Sequence, residues 1–146
     1  MAVYNAYIRE GYRLLIITDR QEELGRWLMS RIGGTYLAGR GVYIGLARNG
    51  ILCAVAGFED YNTASIMGHL AVDGNRMDLK WIKYCFKYVF DIAKVNKLIG
   101  MVSSDNTRAY TMNLKFGYIE EAVIKDACKN GDMILMTMTR SQCKYI

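Results

Sequence analysis

The most informative stretch of the sequence is N-T-R-A-Y-T-M-N-L-K-F-G-Y, residues 106 to 118. It predicts a helix from Asn106 to Phe116, because Gly117 is a residue type that ends helices. Asp105 or Asn106 can serve as the N-cap of this helix, and the Asn106 side-chain amide can also hydrogen-bond a ligand that carries amide groups. For this stretch alone, capping is the more common role of such an asparagine.

Apolar periodicity on both sides of this stretch predicts a mixed α/β fold. A first helix is predicted after Asp19, which can cap it with Glu22 three residues later as in a capping box, and Gly33-Gly34 ends it. A second helix is predicted over Leu79 to Ala93. Asn49-Gly50 predicts a tight hairpin. Strands are predicted at 13–18, 42–48, 51–58, 64–72, 98–102, 118–127 and 133–139. The order β-α-β-β-β-α-β-α-β-β implies one parallel strand pair inside a mixed sheet.

The composition is that of an ordinary globular domain. The 146 residues are 52% hydrophobic and 23% charged, so the chain can bury a core without a metal or a disulfide. We therefore expect residues 1–146 to form a single domain. The net charge of +5 is not concentrated in one run, and it fits a phosphate-rich cofactor as well as an acidic partner.

Four lysines line the polar face of the helix predicted at 79–93. They are Lys80, Lys83, Lys87 and Lys94. Such a stripe can contact nucleic-acid phosphates, or it can be a solvated helix face. We favour the solvated face, because long charged side chains commonly cover the outer surface of a helix.

Metal and membrane sites are not expected. The four cysteines show no C-x-x-C spacing, and His69 is the only histidine, which disfavours a zinc site. No apolar run reaches the ~18 residues of a membrane-spanning helix. The first residues also lack the pattern of a signal peptide. These features predict a reduced, cytoplasmic setting.

The loop from Asp73 to Asp78 leads from a strand into a helix. A helix N-terminus offers free N–H groups and the positive end of the helix dipole. Gly74 and Arg76 would complete an anion-binding loop there. An ordinary turn in which Asp78 caps the helix is the more common arrangement.

His69 and Glu59 are the candidates for a general base. Histidine is the side chain that ordinarily titrates near neutrality, and His69 could act directly or through water. The alternatives are a structural histidine and a solvated turn glutamate. Tyr110 ranks first as a proton donor because it lies one helical turn after Asn106. The other tyrosines considered are Tyr43, Tyr61 and Tyr118.

Together these segments resemble the GNAT family of N-acetyltransferases. Residues 106 to 118 contain its asparagine, an alanine three residues later and a Lys-hydrophobic-Gly-aromatic end. The segments E-E-A-V-I-K-D-A (120–127) and G-D-M-I-L-M-T-M-T-R (131–140) resemble its last two strands. The resemblance covers roughly residues 13 to 145, and the order of elements matches.

The closest resemblance is to a compact GNAT subgroup often encoded by bacteriophages, for which the setting would be the host cytoplasm. It is carried by W-L-M-S-R-I-G-G at 27–34, by G-H-L-A-V at 68–72 and by the C-terminal ending. The residues of that ending are Met138, Arg140, Cys143 and Tyr145.

The resemblance implies acetyl-CoA as the donor and a primary amine as the acceptor. In the family, the strand here at 66–72 pairs with the pantetheine arm and the loop at 74–79 holds the pyrophosphate. The helix that begins at Asn106 contacts the cofactor arm. The implied cofactor-binding residues are Leu70, Ala71, Val72, Gly74, Asn75, Arg76, Met77, Asp78, Leu79, Asn106, Ala109, Tyr110 and Asn113. The family also suggests a homodimer.

Two positions depart from the family pattern. The loop reads G-N-R-M-D-L at 74–79 and lacks the second glycine of the family's pyrophosphate loop. Asn113 stands where many members carry a tyrosine general acid, and an asparagine cannot protonate a leaving thiolate. Tyr110, another group or water then serves, or the thiolate leaves without an acid.

Three functions remain, and direct acetyl transfer is favoured. His69 or Glu59, through water, would deprotonate the acceptor amine, which attacks the thioester, and a backbone N–H of the strand at 66–72 would stabilise the oxyanion. The second is a GNAT-shaped protein that binds without catalysis, such as a phage accessory or virion component. The third is acetylation of an amine on a modified nucleic-acid base. The sequence leaves the acceptor open.

Overall fold

A computed structural model describes residues 5–74 and 77–146, which contain eight strands and three α-helices. The strands are β1 (Asn5–Arg9), β2 (Tyr12–Ile17), β3 (Gly41–Arg48), β4 (Ile51–Glu59), β5 (Ser65–Val72), β6 (Lys97–Ser103), β7 (Ile119–Cys128) and β8 (Gly131–Met138). The helices are α1 (Gln21–Ile32), α2 (Leu79–Lys87) and α3 (Thr107–Phe116). The strands are hydrogen-bonded in the order β1-β2-β3-β4-β5-β6-β8-β7. This confirms the predicted mixed α/β class.

The described residues fall into two compact units. The first comprises those within Met1–Asp60 and Gly68–Cys85, and the second comprises Tyr61–Met67 and Phe86–Ile146. Strand β5 therefore begins in the second unit and ends in the first. The single domain predicted for residues 1–146 stays a prediction.

The first unit is built on the antiparallel strands β1 to β4. Helix α1 packs against β3 and β4, where Leu24 and Leu28 meet Tyr43 and Val55 in a buried cluster. Between β3 and β4, Asn49 and Gly50 have φ values of 50° and 81°. These left-handed angles are those of the tight hairpin that the sequence predicts.

Helix α1 ends as predicted but begins differently. Gly33, with φ 76°, terminates it in the left-handed conformation. Its N-cap residue is Arg20, which makes no side-chain capping bond, so the predicted capping box of Asp19 and Glu22 is wrong. The Gln21 amide instead bonds both main-chain groups of Tyr43, at 2.7 and 2.8 Å. A strand contact, rather than a local cap, fixes the start of this helix.

Strand β1 is an element that the sequence did not predict. It pairs antiparallel with β2 through the turn Glu10-Gly11, where φ is 53° and 79°. Two of its side chains, Tyr7 and Arg9, bind the distant Asp78. Its ladder partner β2 is adjacent in the chain, but the side-chain partner of Tyr7 and Arg9 lies about seventy residues away, so this five-residue strand carries little local signal.

The second unit holds β6, β8 and β7 in antiparallel pairing, together with the first residues of β5. Ser65–Met67 pair in parallel with Lys97–Ile99, which confirms the predicted parallel pair. Phe86, Phe116 and Tyr145 pack together, with ring centroids 5.3 to 6.4 Å apart. Beyond α2, the chain continues as a π-helical turn at Tyr88–Ile92, so the helix predicted to Ala93 widens after Lys87.

Within the described part of the chain, no helix combines the length and apolar character needed to cross a bilayer.

Candidate functional site

Glu59 and His69 lie together in the first unit, with Tyr43 as a third member of what we call the Glu59 cluster. Glu59 is the last residue of β4, and its side chain is almost completely buried, 2% exposed. Its Oε1 lies 3.1 Å from His69 Nε2, and its Oε2 accepts a hydrogen bond of 2.6 Å from the Tyr43 hydroxyl. The two residues predicted as alternative bases therefore form one hydrogen-bonded group.

Strand register explains why Tyr43 reaches Glu59. Gly41 pairs with Glu59 and Tyr43 pairs with Gly57, so Tyr43 and Glu59 are diagonal neighbours on one face of the sheet. In each of these two cross-strand pairs, one residue is a glycine. A Cβ on Gly57 would come within 3.0 Å of the Tyr43 ring, and one on Gly41 within 2.7 Å of Glu59 Cγ. The two glycines thus make room for the two large side chains.

The electrostatics of the Glu59 cluster keep His69 neutral at pH 7. Burial lowers the pKa of His69, and this outweighs the neighbouring Glu59 carboxylate, which raises it. Burial also raises the pKa of Tyr43, and the hydrogen bond to Glu59 adds to that effect. Tyr43 therefore stays protonated and donates a hydrogen bond to Glu59.

A second charged pair borders the Glu59 cluster. Arg40 donates two hydrogen bonds of 3.1 Å to the Asp60 carboxylate. The Arg40 charge lowers the pKa of His69 and the Asp60 charge raises it. Asp60 also has a left-handed backbone, with φ 58°, a conformation that aspartate tolerates better than most residues.

The predicted pantetheine-binding residues Leu70, Ala71 and Val72 are the last residues of β5. Ala71 packs against the buried cluster beneath α1, so its side chain faces the core. The pairing of β5 with β6 covers only Ser65–Met67. Among the described residues, the last five positions of β5 therefore lie beyond its ladder with β6.

The predicted pyrophosphate loop is described in part, because Asn75 and Arg76 lie outside the described residues. Gly74 has a left-handed φ of 68°, Met77 is half-buried, and Leu79 begins α2 with 46% of its surface exposed. Asp73 binds Arg31 through two hydrogen bonds, of 2.9 and 3.1 Å.

Asp78 is buried just before α2. Its carboxylate accepts a hydrogen bond of 2.9 Å from the Lys80 N–H, which is the capping arrangement. It also accepts a bond of 2.6 Å from the Tyr7 hydroxyl and forms an ion pair of 2.6 Å with Arg9. The capping role considered for Asp78 is thus present, and its charge is compensated by Arg9.

The predicted residues of α3 lie in the second unit. Asn106 caps the helix by accepting a bond of 3.1 Å from the Ala109 N–H. The Tyr110 hydroxyl donates a hydrogen bond of 2.8 Å to the exposed Glu120, and this bond raises the pKa of Tyr110. Asn113 is half-buried, with its Nδ2 3.7 Å from Met136 Sδ.

The four lysines of the predicted stripe are all exposed, with Lys80, Lys83 and Lys87 on α2 and Lys94 beyond the helix and its π-helical turn. Within residues 5–74 and 77–146, no three His, Cys, Asp or Glu side chains are grouped as metal ligands.

Comparison with known proteins assigns the fold. No protein-family model matches this sequence, and no curated protein matches it. The structure has the GNAT acetyltransferase fold. One similar structure is the spermidine N-acetyltransferase of Vibrio cholerae in complex with CoA and spermine, with a TM-score of 0.69 and 15% identity over 88% of this chain and 96% of that one.

A second similar structure is the ribosomal-protein-S5-alanine acetyltransferase of Vibrio fischeri. It has a TM-score of 0.69 and 9% identity over 96% of this chain and 99% of that one. At sequence identities this low, the structural similarity establishes the fold alone, which is the fold that the resemblance implied. Function has to be argued from the site itself.

Proposed function

We propose that this protein is an acetyl-CoA-dependent N-acetyltransferase that transfers acetyl directly to a primary amine. The observation that carries the proposal is the buried Glu59 carboxylate, hydrogen-bonded to a neutral His69 on β5 of an acetyltransferase fold. A neutral imidazole supported by a carboxylate is a suitable general base near neutral pH. The similar spermidine acetyltransferase was solved with CoA and an amine, spermine, which supports the same pair of substrates here.

Two features of the described residues support acetyl-CoA as the acetyl donor. Because β5 pairs with β6 only at Ser65–Met67, we assign the pantetheine arm to the main-chain groups of Leu70, Ala71 and Val72, in the manner of an added strand. The pyrophosphate is assigned to Gly74–Leu79 and the start of α2. Asp73, just before that loop, and Asp78, within it, both carry arginine partners, which reduces their repulsion of phosphate.

The remaining roles follow from the groups present. Acetyl-CoA supplies a thioester carbonyl for the amine to attack. His69 takes the proton from the acceptor ammonium, directly or through one water, and Glu59 stabilises the imidazolium that forms. A main-chain N–H of β5 stabilises the oxyanion. We keep Asn106 and Ala109 as the residues assigned to the cofactor arm. As the C–S bond breaks, Tyr110 or water protonates the leaving thiolate, and the second proton of the attacking nitrogen passes to water.

Calorimetry with acetyl-CoA and a thiol-release assay with a panel of amines test the proposal. The panel contains spermidine, spermine, a lysine peptide and a peptide with a free N-terminus. We expect acetyl-CoA binding and amine-dependent release of CoA, with turnover reduced about 100-fold or more in His69→Gln. Lys87→Gln, at an exposed position of α2, is the matched control and keeps wild-type turnover. No acetyl-CoA binding at millimolar concentration would exclude the enzyme and favour the non-catalytic alternative.

The cytoplasmic setting, the phage origin and the homodimer stay predictions. Gel filtration with light scattering would measure the oligomeric state directly. A solution mass of one chain, 16.6 kDa, would exclude the dimer.

A further inference from the structure

We propose that Tyr43 is a positioning residue that acts through Glu59 to hold His69 in one neutral tautomer, with the proton on Nε2 and the lone pair on Nδ1. The expected effect of this positioning on turnover rests on the proposed function. The tautomer itself can be measured without any enzyme activity.

The hydrogen-bonding capacity of Glu59 dictates the tautomer. An ionised carboxylate only accepts hydrogen bonds. Its Oε2 already accepts from the Tyr43 hydroxyl, and Oε1 faces His69 Nε2 at 3.1 Å. A neutral imidazole has one N–H, so that N–H must be on Nε2 for the contact to be favourable. Nδ1 is then the only ring atom that can accept a proton.

Tyr43 is anchored independently of Glu59. Its N–H and C=O are both bound by the Gln21 amide, and its ring lies against Gly57 with 1% of the residue exposed. The hydroxyl position is therefore set by the core. Because Glu59 sits at the end of β4, next to the turn at Asp60, the Tyr43 bond is what holds Oε1 toward His69.

The proton balance follows from this geometry. The proton leaves the acceptor ammonium for His69 Nδ1, while the Nε2 proton stays between His69 and Glu59. The charged groups that face the ring are Glu59, Arg40 and Asp60. Removing the Tyr43 hydroxyl would leave more negative charge density on Glu59, so the imidazolium would be favoured and the His69 pKa would rise.

Nuclear magnetic resonance of protein labelled with ¹⁵N-histidine tests the tautomer, because His69 is the only histidine in the chain. At pH 7.5 the wild type is expected to show a protonated Nε2 and an unprotonated Nδ1. In Glu59→Gln, the side-chain oxygen still accepts from Tyr43 and the amide donates to Nε2, so the tautomer should invert. An unprotonated Nε2 in the wild type, or a tautomer unchanged in Glu59→Gln, would overturn the proposal.

Tyr43→Phe tests the positioning role. We expect a mixture of tautomers, a higher His69 pKa by titration, and a kcat about tenfold lower with an unchanged KM for acetyl-CoA. Tyr12→Phe removes an exposed hydroxyl from the same unit and should leave the imidazole signals unaltered. Wild-type tautomer ratio and pKa in Tyr43→Phe would refute the inference. The expected imidazole signals without acetyl transfer to any amine would instead refute the proposed function alone.

Discussion

Two tyrosine–glutamate hydrogen bonds in this protein share their chemistry and differ in their surroundings. Tyr43 donates to Glu59 at 2.6 Å in the first unit, where both residues are 1% exposed. Tyr110 donates to Glu120 at 2.8 Å in the second unit, where Glu120 is exposed and Tyr110 is half-buried. In both bonds a phenolic hydroxyl donates to a carboxylate, yet we assign a positioning role to the first and only proton return to the second.

The difference teaches that burial, rather than the bond itself, decides what such a pair can do. For Tyr43, burial is the larger cause of the raised pKa, and the bond to Glu59 is second. For Tyr110 the order is reversed, and the bond to Glu120 comes first. A buried pair is costly to break and so fixes geometry. An exposed pair exchanges readily with water and fixes little.

The largest expected effect is that of Glu59→Ala. The change leaves the buried Tyr43 hydroxyl without its acceptor and removes the partner of the half-buried His69, so the free energy of unfolding should fall by about 2–3 kcal/mol. Turnover should fall about 100-fold or more. Urea unfolding and the thiol-release assay measure the two quantities. Glu120→Ala is the exposed control, and equal losses in the two variants would remove the distinction between the pairs.

The aspartates of the loop before α2 extend the comparison to ion pairs. Asp78→Ala removes a side chain that is 3% exposed, together with its bonds to Tyr7, Arg9 and the Lys80 N–H. We expect a loss of about 2 kcal/mol in the free energy of unfolding. Asp73→Ala removes a side chain that is 51% exposed and should cost at most about 1 kcal/mol. Urea unfolding that ranks them the other way would contradict the burial argument.

The pH dependence of stability tests whether His69 is buried as a neutral base. The folded pKa lies below the unfolded value, so below about pH 6.5 the unfolded chain binds this proton first. The stability contributed by neutral His69 is therefore complete above that pH and is lost as the pH falls toward the folded pKa. Between pH 7.5 and 5, the urea midpoint should decline more steeply with falling pH in the wild type than in His69→Asn. Identical pH dependences in the two proteins would show that burial does not lower the pKa of His69.

Most of the fold could be predicted because its elements carry local patterns. The hairpin at Asn49-Gly50, the stop at Gly33 and the helix after Asn106 each depend on residues within a few positions. Strand β1 was not predicted: it pairs with the adjacent β2, but the contacts of Tyr7 and Arg9 with Asp78 are distant in sequence. The start of α1 was also misjudged, because Gln21 bonds to Tyr43 on β3 and no local cap is used.

The residues of the Glu59 cluster also differ in how far they could be predicted from local sequence. His69 and Glu59 could be named from their residue types, and their contact depends only on the neighbouring strands β4 and β5. The sequence offered Tyr43 merely as one of several possible proton donors. Its bond to Glu59 requires the register that pairs Gly41 with Glu59 and Tyr43 with Gly57. Two glycines opposite two large polar side chains are the signal that would have revealed it.

Asn106 has two assigned roles, capping α3 and binding acetyl-CoA, and substitutions with smaller expected effects can separate them. Asn106 is exposed, as is Glu120. Asn106→Ala removes the cap on α3 and should lower the free energy of unfolding by about 1 kcal/mol. Asn106→Asp keeps the cap but loses the amide donor, so stability should hold while acetyl-CoA affinity falls about tenfold, as for one hydrogen bond. Calorimetry and urea unfolding measure these changes. Wild-type affinity in Asn106→Asp would restrict the side chain to capping.

The smallest expected effect is that of Tyr110→Phe, which breaks the exposed pair. Folding should be unchanged in urea unfolding, because water can replace the lost hydroxyl at an exposed site. Turnover should fall by less than about tenfold, since Glu120 makes Tyr110 a weaker acid and water can protonate the thiolate in its place. A fall of about 100-fold, with folding intact, would make Tyr110 an essential donor. An exposed tyrosine–glutamate bond would then serve catalysis as strictly as the buried one, and burial would no longer separate the two pairs.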